Sequence, residues 1–175
     1  MSKPPIDDPY YDRLHTFLDA TSAETDRGRA LIVASLIEEM LEEVLKAYLM
    51  ASPQTKKLFE GPNATISSLH SKALLCRSLS LITKQEYADI DLVRKIRNQF
   101  AHNVLCSFED QKVKDWAAKL NLGMSVLDAL EESHKSRVDD PKGRFGMVTV
   151  SIITSLYNRR HYVEKSRITE TNFPE

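Results

Sequence analysis

Thr83-Lys84-Gln85-Glu86-Tyr87-Ala88-Asp89-Ile90-Asp91-Leu92-Val93-Arg94-Lys95-Ile96-Arg97-Asn98-Gln99-Phe100-Ala101-His102 is the stretch from which the fold can be read. Thr83 and Glu86 have the Thr-x-x-Glu spacing of a capping box, in which hydroxyl and carboxylate each satisfy a free backbone N–H at a helix start. From there Val93, Ile96, Phe100 and Val104 recur at three and four and make one apolar line, while Asp91, Lys95, Asn98 and His102 make a polar one. The pattern predicts an amphipathic helix with its apolar side against a core. Its last turn carries a guanidinium (Arg97), an amide (Asn98) and an imidazole (His102). Arg is a permanent cation whose planar fork suits phosphate, and His has the unperturbed pKa nearest neutrality, so this set could perform phosphodiester chemistry without a metal. The competing reading is structural, because an Asn/His pair at i, i+4 can bond across one turn and an Arg can pair with a neighbouring helix. Helical geometry puts Arg97 about 100° round from Asn98, toward a different neighbour from His102 unless a partner subunit closes over it.

The same periodicity extends along the chain. Only five glycines occur in 175 residues and strand-like alternation is scarce, so the expected fold class is all-α, a multi-helix bundle built round a long central helix. A first helix is expected over Tyr10 to Ala20. Thr21 with Glu24 matches a second capping box, opening a helix that runs to about Met50 with Leu31, Ala34, Leu41, Val44, Leu45 and Tyr48 on its apolar side and Glu39, Glu42, Glu43 and Lys46 opposite. Ser52-Pro53 stops it and allows a short helix through Phe59. Glu60-Gly61-Pro62-Asn63 is a turn composition. Ile66 to Leu81, with Leu69, Ala73, Leu74 and Leu79, and Asp110 to Leu122, with Val113, Trp116, Ala117 and Leu120, read as further helices. Trp116 falls on a periodic stripe and is expected as a core anchor rather than a platform for a base. Ser133 to Gly143 reads as the main internal loop, and Phe145 to Val163 as the last helix. The basic cluster Arg159, Arg160, His161, Lys165 and Arg167 suits a helix C-terminus, with nucleic-acid contact as the lesser reading.

Composition narrows the function classes. With 24 Lys+Arg against 25 Asp+Glu the formal net charge is −1, so no overall positive field would draw the chain onto nucleic acid. Hydrophobic residues make up 42% and charged residues 28%, ordinary for one globular domain, expected over residues 1–175 with flexible ends at about 1–8 and 168–175. Cys76 and Cys106 stand apart without a CxxC or Cys/His cluster, so no metal site and no cofactor is expected and the thiols read as reduced. The polar, proline-bearing start MSKPPIDDPYYD does not read as a signal peptide, and the apolar stretches are too short or too interrupted by charge to span a bilayer; a cytoplasmic protein without membrane contact is expected.

Asp26-Arg27-Gly28 leading into Ile37-Glu38-Glu39-Met40-Leu41-Glu42-Glu43, then Leu58-Phe59-Glu60-Gly61-Pro62-Asn63-Ala64, then Leu92 to His102, in that order over roughly Ala23 to Tyr162, resembles the mannitol operon repressor (MtlR) family. Gly143-Arg144-Phe145 before an apolar helix also looks like that family's last element. The resemblance implies a bacterial cytosolic regulator of mannitol-operon transcription lacking a recognisable DNA-reading module. Nothing in this chain has helix-turn-helix, zinc-finger or basic-zipper character. Regulation through dimerisation or a protein partner is therefore expected ahead of direct operator binding, and a non-enzymatic role ahead of an enzymatic one. The Arg97 to His102 hexad also resembles the Arg-x4-His signature of HEPN domains, helical bundles that include metal-independent ribonucleases. On that likeness Arg97 would hold the scissile phosphate, His102 would transfer the proton, and Asn98 would orient one of them, with two subunits bringing their motifs together.

Overall fold

The computed structural model describes residues 23–124 and 140–170, together with Thr16, Asp19 and Thr21. Six helices form the described part of the molecule: α1 (Asp26–Tyr48), α2 (Pro53–Phe59), α3 (Leu69–Ser78), α4 (Lys84–His102), α5 (Gln111–Ala117) and α6 (Pro141–Val163), followed by a 3₁₀ turn over Glu164–Ser166. No strand occurs among these residues, as the periodicity requires. Thr16, Asp19 and Thr21 are helical; the rest of the helix expected over Tyr10 to Ala20 and residues 133–139 of the expected loop lie outside the described set.

α1 is the centre of the bundle, with α3, α4 and α6 all packed on it. Its 23 residues give a rod of about 35 Å. The expected start at Thr21 is wrong. Thr25 caps the helix by accepting from the Gly28 N–H at 3.1 Å, while Thr21 is buried and its carbonyl accepts from the Arg29 side chain. Because three helices cover α1, its buried set is wider than one stripe and includes Val33, Ile37 and Met40 beside Ala34, Leu41, Val44 and Leu45; Leu31 and Tyr48 are only partly covered. Its acidic side is not wholly solvated either. Lys72, on α3, is buried against it and bridges Glu38 and Glu42 at 3.0 and 2.8 Å.

Ser52 caps α2 with Pro53 in its first turn, as expected from the sequence. α3 starts later than expected, at Leu69, because the Ile66 N–H is taken by the Leu58 carbonyl and Ser68 and Ser71 form the capping box. It also stops earlier. The Leu81 N–H reaches the Cys76 carbonyl and the Ser80 N–H the Arg77 carbonyl, a Schellman ending that holds Ser80 at φ 58°. Leu74, expected on the apolar side, is 47% exposed; the inward face is Leu69, Lys72, Ala73 and Cys76.

α4 opens on the capping box read from the sequence: the Glu86 N–H donates to Thr83 Oγ1 at 3.1 Å and the Thr83 N–H to Glu86 Oε2 at 2.6 Å. α5 ends at Ala117 rather than Leu122. Beyond it the N–H groups of Asn121 and Leu122 donate to buried Asp89 on α4 and the Leu120 carbonyl accepts from Arg144 on α6, so tertiary partners replace the next helical turn. Trp116 is partly buried against the core, with Lys112 Nζ over its ring at 5.1 Å from the centroid. α6 begins at Pro141, four residues before the expected Phe145, since Asp140 accepts from the Gly143 N–H and Pro141 occupies the first turn. Phe100, Phe108 and Phe145 stack in the core with centroids 5.1 and 5.2 Å apart, joining α4, the segment before α5, and α6.

Candidate functional site

The capping box fixes the phase of α4. Val93, Ile96 and Phe100 are buried, which turns Arg97 and His102 into solvent and leaves Asn98 half-buried. Asn98 and His102 lie one turn apart on one side. Arg97 bends back across the 100° gap, and its Nη1 donates to Asn98 Oδ1 at 3.1 Å. Arg97 and Asn98 are thus linked on the surface, and exposed His102 follows one turn after Asn98. Among the described residues none of them bonds to another helix, so the group does not pin the bundle together. The neighbouring carboxylate Asp91 is committed elsewhere. Its burial raises the pKa, but hydrogen bonds from Lys95 and Arg94, and then their charges, outweigh that and hold it below the usual carboxylate range.

α4 ends directly after the group. Asn103 is the C-cap, its Oδ1 accepts from the Leu105 N–H at 3.2 Å, and its carbonyl accepts from the Cys106 N–H. Val104 therefore does not continue the apolar line expected of it. The chain turns at Asn103, leaving Val104 78% and Leu105 90% exposed, while Cys106 and Phe108 turn back into the core. Burial pushes the Cys106 thiol up to about 11 and the Cys76 thiol up to about 12, so neither supplies a nucleophile near neutrality. From the start of α1, Arg27 Nη2 donates to the Ala101 carbonyl at 3.3 Å, beside His102, and next to it Asp26 is paired with Lys142 of α6 at 2.7 Å.

The basic cluster at the end of α6 is largely spent inside the molecule. Arg159 forms a two-pronged pair with Glu86, 2% exposed, at 2.9 Å on each prong, and also donates to the Leu81 carbonyl. Arg160 pairs with Glu43 at 3.0 Å, and Arg167 donates to the Ala47 carbonyl at the end of α1. His161 packs edge-on against Tyr157. Glu86, read from the sequence only as a cap, is also a buried ion-pair partner, and Lys72 and Asp89 are buried charges that periodicity did not single out. A shallow surface depression between α3 and α4, lined by Leu69, His70, Ala73, Tyr87, Ile90, Asp91 and Arg94, does not include the polar group. No cluster of three His, Cys, Asp or Glu side chains suited to a metal occurs among the described residues, and none of their helices is long and apolar enough to cross a membrane.

These elements define an all-α bundle wrapped round one long helix, with a polar group exposed at the end of a second. No family model matches the chain, and no curated protein matches it. Among solved structures the X-ray structure of the MtlR–HPr complex from Escherichia coli holds a chain of similar fold, 17% identical, with a TM-score of 0.60, the match covering 90% of this chain and 99% of that one. At that identity the likeness is one of fold.

Proposed function

We propose that this chain is a bacterial cytoplasmic regulator of the mannitol operon repressor type that acts through a protein partner, as a homodimer, and does not itself read DNA. The observation that carries this reading is the fold shared with a chain from a structure solved as the MtlR–HPr complex. The charge distribution supports it: the formal net charge is −1, and Arg159, Arg160 and Arg167 are engaged within the bundle rather than arrayed for phosphates. The test is a titration of the purified chain with HPr from the same organism, beside a duplex carrying the mannitol-operon promoter at two salt concentrations. Saturable HPr binding with weak, sequence-indifferent DNA binding is expected. Tight promoter binding that falls steeply with salt would overturn the reading.

A second reading rests on the exposure of Arg97 and His102. A HEPN-like, metal-independent ribonuclease needs an accessible imidazole for proton transfer and a cation for the phosphate, and Arg97, Asn98 and His102 offer both on one surface. Incubation with mixed RNA in chelator compares the wild type with His102→Ala. Loss of a true general acid or base slows cleavage about 10²–10⁴-fold, whereas equal, negligible cleavage by both proteins retires the enzyme.

A further inference from the structure

Charge is spread unevenly over this molecule, and the face where α3 packs beside α4 holds an excess of cations. From Leu69 to His102 the acids are Glu86, Asp89 and Asp91. Glu86 is 2% exposed and taken by Arg159, and Asp89 is fully buried and taken by backbone N–H groups. Asp91 is therefore the one outward carboxylate of the two helices, and Arg94 and Lys95 both bind it. Arg77 and Lys84 are exposed; Arg77 gives a donor to the Ile82 carbonyl, and neither pairs with a carboxylate among the described residues. A chain of net charge −1 thus carries on this face four cations against one acid.

The same face is apolar along its middle. The shallow depression between the helices has buried Leu69, Ala73 and Ile90 at its floor and half-buried Tyr87 at one wall. Spacings of i, i+4, i+7 set His70, Leu74 and Arg77 in a line along α3, and Tyr87, Asp91 and Arg94 in a line along α4. Leu74, 47% exposed, stands on the α3 line. A furrow between two packed helices receives the side-chain ridges of a third, and neither helix offers the unpaired backbone that an added strand needs. Leu74 and Tyr87 gain by exchanging water for apolar side chains, which a phosphate backbone does not supply, and Asp91 repels phosphates.

We propose that the α3–α4 face is the docking surface for an acidic amphipathic helix of another protein, its apolar side chains on Leu74 and Tyr87 and its carboxylates opposite Arg77, Lys84 and Arg94. This deepens the reading of the chain as one that acts through a protein partner. The HPr titration tests that reading and a peptide titration tests the surface, so the failure of one is distinguishable from the failure of the other.

A stapled helical peptide with Leu at i, i+4, i+7 and i+11 and Glu at the flanking positions is titrated into the full chain and followed by NMR, beside the same peptide with Lys in place of every Glu. Saturable shifts at Leu74, Tyr87 and Arg94 are expected, with the Glu peptide bound about tenfold or more tightly than the Lys peptide and weakened by salt. Leu74→Gln, at an exposed position, weakens binding about tenfold through lost apolar contact. Lys84→Glu, at a helix start where an acid is favourable, weakens it about threefold, whereas Lys57→Glu, the same charge change at an exposed position of α2, leaves it unaltered. Absence of saturable binding, equal affinity for the two peptides, shifts centred outside α3 and α4, or wild-type binding by both Leu74→Gln and Lys84→Glu overturns the proposal. So does a single-stranded RNA oligonucleotide that binds this face and displaces the Glu peptide, which would assign the cations to phosphates instead.

Discussion

Lys72 shows what a single buried charge does to this bundle. Taking its ammonium out of water lowers its pKa, but hydrogen bonds and charge from Glu42 and Glu38 more than restore it and leave it above the ordinary value. For Glu42 burial raises the pKa, yet Lys46 and Lys72 outweigh it and hold the carboxyl below the usual range. The linkage follows from those directions. Glu42 contributes stability that is present above its unfolded pKa and lost as pH falls through its lower folded value; Lys72 contributes stability that is present below its unfolded pKa of about 10.5 and lost as pH rises through its higher folded value. Lys72→Met is expected to cost about 1–3 kcal/mol at neutral pH, because Glu38 and Glu42 are left half-covered without their shared partner. Urea midpoints measured from pH 3 to 7 should also fall less steeply with acid in the variant. Ile96 and Phe100 give the apolar counterpart: both are completely buried, so truncation of either to Ala should cost about 2–5 kcal/mol, and unchanged denaturant midpoints would contradict the phase of α4 and with it the outward aim of Arg97 and His102.

Helices announced themselves in the sequence to the degree that their ends are made of local contacts. Thr83 with Glu86 and Ser52 with Pro53 act within four residues, and both are found where the spacing puts them. Where an end is decided from a distance, periodicity overruns it. α5 stops because Asp89 and Arg144, on two other helices, take the next backbone groups, and α3 starts late because Leu58 takes the Ile66 N–H. The candidate trio was legible as residue types. Its exposure was not, since that depends on where Asn103 turns the chain, and the bond from Arg27 to the Ala101 carbonyl spans 74 positions and leaves no local signal. The ending of α3 supplies a test at this scale. Ser80 holds a left-handed φ of 58° that costs an L side chain about 1–2 kcal/mol and glycine almost nothing. Ser80→Gly should therefore stabilise the chain by up to about 1 kcal/mol after the greater entropy of glycine in the unfolded state is counted, seen as a higher melting temperature.

At the scale of the molecule, α1 touches most of the other elements, and the chain beyond α6 returns to its far end, where Arg167 meets the Ala47 carbonyl and the Ile168 N–H the Tyr48 carbonyl. Residues 171–175 of the stretch expected to be flexible lie outside the described set. A homodimer makes a prediction of its own: light scattering on the purified chain should give twice the 19.9 kDa chain mass, and a mass of one chain at micromolar concentration would remove dimerisation from the proposed mechanism. The Phe100, Phe108 and Phe145 stack has a mechanical corollary for whatever meets the exposed Val104–Leu105 corner. Phe108 is a wedge driven between α4 and the root of α6, three residues along from the corner. Pulling that corner outward would have to drag a phenyl ring from its slot, leaving a hole whose cost runs to several kcal/mol. An incoming molecule therefore meets a firm knob there, and whatever adjustment the encounter requires falls to the visitor.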